Sequence, residues 1–113
     1  AHDNEEATES VWLAPRAALE QYRDGRIELA PPQIMSLAHL ARYARMQDVV
    51  AAARSQRPPT ILPLAHLDAG LRTIAYPGDP LHAERERALP GPTRLRQQGR
   101  QFLPEAGFEA LFL

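Results

Sequence analysis

The stretch "ESVWLAPRAALEQYRDGRIELAPP", residues 9–32, holds a strand signal, a helix signal and the opening of a second helix. Residues 9–13 alternate, with Val11 and Leu13 on one face and Ser10 and Trp12 on the other. Apolar side chains on both faces predict a short strand inside a sheet rather than at its edge. Pro15 stands where a first helical residue would, since its missing N–H is not needed there. Ala18, Leu19 and Tyr22 then recur at helical spacing through Asp24, and Gly25 supplies a C-terminal stop. Ala14 is a poor capping residue, by about 1 kcal/mol against Ser, Thr or Asp. "RIELAPP" reads as a loop that tucks Ile27 and Leu29 inward, and Pro32 opens the second helix.

Upstream, "AHDNEEAT" (1–8) is a polar, acidic loop, and a first residue other than Met suggests a processed or cut start. Downstream, Ile34, Leu37, Ala38, Ala41 and Ala44 form one stripe that Met35 and Leu40 broaden, as in a helix buried on more than one side. "QDVVAAARSQ" (47–56) is either its continuation or a third helix, ended by Pro58 and Pro59. "TILPLAHL" and "LRTIAYP" flank Asp68-Ala69-Gly70 as a β-hairpin, and "PGDP" (77–80) is a dense turn. Residues 81–92 are irregular. "TRLRQQ" and "RQFLPE" around Gly99 form a second hairpin, and "GFEALFL" is a short helix or a docking strand. The expected fold is α+β, with two to three helices and short antiparallel hairpins. One domain over 1–113 divides into an acidic loop (1–8), a strand plus helices (9–56) and a hairpin-rich part (57–113).

Composition narrows the chemistry. There is no cysteine, so a disulfide framework, a thiol nucleophile and Cys-ligated metals are excluded. No apolar run approaches the roughly 20 residues of a membrane-spanning helix. A cytoplasmic location without a membrane partner is expected. Residues 1–50 carry eight acids and five Arg (−3), and residues 51–113 carry six acids and eight Arg (+2). So mild a bias is not that of a nucleic-acid binder.

The order of segments is similar to the second half of Nudix hydrolases, in the branch acting on coenzyme A and other nucleoside-diphosphate-linked substrates. The matching residues are His2, Asp3 and Glu6, then Trp12, Pro15, Ala18, Leu19, Gly25, Leu29, Pro31 and Pro32. "ILPLAHLDAGLRTIAYPGDPLH" resembles that branch's C-terminal extension, so the likeness covers about residues 2–82. Gln33 stands where Thr is usual, which weakens the second helix's start. The defining signature G-x5-E-x7-R-E-U-x-E-E-x-G-U is absent, and "AERERAL" (83–89) lacks its pattern. In the family its glutamates hold Mg or Mn, which activate water against a diphosphate. The resemblance therefore implies the C-terminal part of such a hydrolase, not catalytic alone, or a non-enzymatic dimerisation module that kept this half. With the neighbours of strand 9–13 missing, a homo-oligomer or a separate Nudix half is the expected partner.

No catalytic residue and no metal ligand set is assigned. Candidate substrate contacts are Glu6, in an acidic loop with Asp3, Glu5 and Glu9; Pro32 and Gln33, beside Pro31; and Arg94 and Arg96, which with Arg100 could meet the phosphates of a nucleotide or coenzyme A type ligand. The plain alternatives are a solvated terminus, a helix start and a solvated strand face. His2, His39, His66 and His82 lack metal-ligand spacing, His82 could titrate beside Asp79, and no Ser has a triad partner.

Overall fold

The structure is a computed structural model that describes residues 12–58 and 61–113. It has the α+β architecture: helices α1 (Pro15–Arg23), α2 (Pro31–Leu40) and α3 (Met46–Ser55), then strands β1 (Leu64–Asp68), β2 (Leu71–Ala75), β3 (Arg94–Gln98) and β4 (Gln101–Leu103), and a closing 3-10 helix, Phe108–Phe112. The strands form one antiparallel meander in sequence order.

Helix α1 begins on Pro15 and buries Ala18, Leu19 and Tyr22, as their spacing requires. Its end is a Schellman motif. Gly25 N–H bonds the Tyr22 carbonyl, Arg26 N–H bonds the Gln21 carbonyl, and Gly25 takes φ +78°, which a Cβ would penalise. Ile27 and Leu29 turn inward against the core.

Helix α2 begins at Pro31, one residue before the expected start, and stops at Leu40 rather than running to Ala44. The i→i+3 bonds Arg42 N–H to His39 O and Tyr43 N–H to Leu40 O tighten the chain into a turn, so α3 is a separate helix. Gln33 strengthens the start of α2 instead of weakening it. Its Oε1 accepts the Ala30 N–H at 2.8 Å, which is half of a capping box; Ala30 offers no side chain for the other half.

The strand expected at 9–13 falls largely outside the described residues. Trp12 and Leu13 belong to none of the four strands, and Trp12 is fully exposed (101%).

Both hairpins form. Ala69 (φ +51°) and Gly70 (φ +81°) make the two-residue loop of the first, in the type I′ pattern that matches strand twist. Gly99 (φ +63°) followed by Arg100 makes the second. Register places Ile74, Leu95 and Phe102 on one face of the sheet and Thr73, Ala75, Arg94, Arg96 and Leu103 on the other. Leu95 reaches the core with Leu19, Tyr22, Ile34, Met35, Ala38 and Leu111.

The two outer edges differ. At β4, the Tyr22 hydroxyl accepts the Phe102 N–H at 2.7 Å and Gln101 donates its side-chain amide to the Tyr22 carbonyl, so α1 covers that edge. Among the described residues β1 pairs only with β2, and Leu67 on it is 73% exposed. The tail "FEALF" is a helix of the 3-10 type, seating Leu111 in the core.

Candidate functional site

Asp79, in the "PGDP" turn, organises the face that carries Arg94 and Arg96. The turn closes through Asp79 N–H to Tyr76 O and His82 N–H to Asp79 O. The carboxylate, on a residue only 3% exposed, accepts four hydrogen bonds: Leu81 N–H (2.9 Å), Thr93 Oγ1 (2.7 Å), and Arg94 Nε and Nη2 (both 2.8 Å). Burial by itself would raise its pKa; the Arg94 fork, the Leu81 N–H and the Thr93 hydroxyl outweigh burial and bring it down to about 2. Arg94 is thus a fixed structural cation, fastening the irregular 77–92 segment to β3.

Two histidines continue that fastening toward the open edge. His66 donates Nε2 to the Leu81 carbonyl at 3.1 Å, and His82 donates Nε2 to the Leu62 carbonyl at 2.6 Å while its Nδ1 accepts the Glu84 N–H. The His82 ring therefore does not pair with the Asp79 carboxylate; only its backbone N–H reaches Asp79, at the carbonyl. His39 lies against the Tyr43 ring, with centroids 5.9 Å apart.

Arg94 and Arg96 come together through Glu105, whose Oε1 lies 3.6 Å from Arg94 Nη1 and 3.2 Å from Arg96 Nη1. Beside them opens a cavity of about 580 Å³, between the Pro90–Arg94 segment and the Pro104–Ala106 turn, with Arg87 and Leu113 also on its wall. Arg100 does not join this group. It sits at the β3–β4 turn, in a shallow groove with Gln33, Tyr22 and Gln97. Pro32 and Gln33 border another hollow with Leu29 and Leu37. The start of α2 is poor in donors: Pro31 and Pro32 have no N–H, and the Ile34 N–H is spent on Ala30 O. Glu6 lies outside the described residues.

The resemblance implies Mg or Mn for intact relatives. Among the described residues no three His, Cys, Asp or Glu side chains group so as to hold a metal ion. Among the same residues no helix is long and apolar enough to cross a membrane.

Sequence reasoning passed over Arg87 and Arg42, which the fold brings to one turn. The available signal was the pair of Pro-Gly turns, "PGDP" and "PGP", bracketing "ERER".

Comparison with known proteins gives a partial likeness. The chain is 33% identical over 49 residues to the acyl-coenzyme A diphosphatase NUDT19 of Gallus gallus, and 36% identical over 47 residues to that of Xenopus laevis. Those stretches are 43% and 42% of this chain but 13% and 12% of the relatives, so the chain spans about an eighth of their length. A part of this chain is thus similar to Nudix hydrolases. No family model matches the chain, and no solved structure matches it.

Proposed function

We propose that this chain is the C-terminal part of a Nudix-type hydrolase of nucleotide-linked diphosphates, a part that does not hydrolyse pyrophosphate by itself. The observation that carries this reading is the likeness to two acyl-coenzyme A diphosphatases, in a chain without the glutamate-rich signature. The helices and hairpins would then be framework that supports a catalytic half. A coenzyme A or nucleotide type substrate and a cytoplasmic location belong to the same proposal.

The test is an assay of the purified chain on acyl-coenzyme A with Mg or Mn, alone and joined to a segment bearing the Nudix box. No turnover alone and turnover when joined is the expected pair of results. Hydrolysis by the chain alone above background overturns the reading.

A second reading is a dimerisation module, and the β1 edge, uncovered among the described residues, with exposed Leu67 favours it. Light scattering separates the two: a stable dimer that gains no activity from a Nudix-box segment supports the module.

A further inference from the structure

We infer that His82 is a pH-sensitive latch, which holds the Pro77-Gly78-Asp79-Pro80 turn against the chain entering β1 and releases it when the ring gains a second proton. The partners fix the tautomer. A carbonyl can only accept, so Nε2 must carry the proton that meets the Leu62 oxygen at 2.6 Å. A backbone N–H can only donate, so Nδ1 must be bare to accept it from Glu84 at 3.0 Å. Only the neutral ring makes both bonds.

A proton on Nδ1 turns that acceptor into a donor and sets it against the Glu84 N–H. The ring must then turn or the chain must shift, and the Glu84 bond is lost. The loss reaches further than one amide, because the Glu84 carbonyl accepts the Gly78 N–H at 2.9 Å and so closes the turn. His66, the other half of the fastening, responds differently. It holds the Leu81 carbonyl through Nε2 alone, at 3.1 Å, and a second proton on its ring takes no bond away. Acid therefore opens one end of the fastening and spares the other.

The charged groups around His82 do not supply the switch. Asp79 and Arg85 line the same hollow as His82. The Asp79 carboxylate is forked by Arg94 of β3, and its pKa, brought down to about 2, keeps it ionised throughout the range in which histidines titrate. An arginine does not lose its proton in that range. β1 brings His66 to the contact, and Ile61, Leu62 and Pro63 bring no ionisable side chain. The latch is independent of the Nudix reading, since it invokes no hydrolysis.

The test is NMR on the whole chain between about pH 8 and about pH 5, the span over which histidines change charge. At the upper end the His82 ring should show the Nε2–H tautomer. As the ring titrates, the Glu84 amide should shift with it. Its exchange protection, corrected for the intrinsic rate, should fall by about fivefold or more, the scale of one hydrogen bond. His82→Asn puts an uncharged acceptor in the same place, able to form an Asx turn, so Glu84 should stay protected across the whole span. His66→Asn and Glu84→Gln should leave the wild-type dependence in place. An Nδ1–H tautomer, or a Glu84 amide indifferent to the His82 titration, overturns the proposal. So does an unchanged dependence in His82→Asn, or its loss in His66→Asn or Glu84→Gln.

Discussion

Arg94 and Asp79 meet fork to fork, Nε on Oδ2 and Nη2 on Oδ1, each at 2.8 Å, with the carboxylate buried and the guanidinium about one quarter exposed. Bidentate geometry and two further donors give that carboxylate everything it needs away from water. Asp79→Ala leaves Arg94, Thr93 and the Leu81 N–H without their acceptor. Urea unfolding should show a loss of about 3 kcal/mol, the usual size for breaking a buried pair.

The same carboxylate fixes an acid limb of stability. Its folded pKa of about 2 lies below the ordinary 3.8, so its stabilisation is present above the unfolded value and is lost as pH falls through the folded one. The size is about 2 kcal/mol, declining from near pH 5 toward pH 2. Denaturation followed across that window in wild type and Asp79→Asn should show the slope flattened in the variant.

Tyr76 behaves in the opposite sense. Its hydroxyl is buried with no partner among the described residues, and burial pushes its pKa up to about 12. The unfolded chain ionises first, so stability should decline as pH rises above about 10. Tyr76→Phe removes a polar group that folding leaves unsatisfied. It should be neutral or stabilising by about 1 kcal/mol at neutral pH and should weaken the alkaline decline.

At the tip of the first hairpin, Ala69 holds φ +51°, a conformation that costs a residue with a Cβ about 1 kcal/mol or more. Ala69→Asn or Ala69→Gly should raise the melting temperature by several degrees, in line with a gain of about 1 kcal/mol in a domain of this size. Ala69→Val should do the reverse.

How far the sequence could be read depended on whether the signal was local. Pro15, Gly25, Gly70 and Gly99 each impose a backbone conformation by their own chemistry, and the elements beside them stand where they were expected. The apolar stripe runs past the end of α2, because it continues through Ala41 and Ala44 while the backbone turns at Arg42. A family preference for Thr at position 33 carries no information about a side chain such as Gln33, long enough to reach back to Ala30. The grouping of Arg94 with Asp79 and of Arg87 with Arg42 joins residues 15 and 45 positions apart, and no periodicity carries such distances. Arg100 was grouped with Arg94 by proximity in sequence, but the tight turn carries it to the far end of the hairpin.

The unequal edges of the sheet set a limit on assembly. Tyr22 occupies the backbone donor that an incoming strand would need at β4, whereas among the described residues nothing pairs with the outer side of β1. A sheet with a single available side can join one neighbour through it, and two copies so joined have no second side to offer. Edge-to-edge association of the described residues therefore ends at a pair, closed by twofold symmetry, and cannot propagate into a fibre.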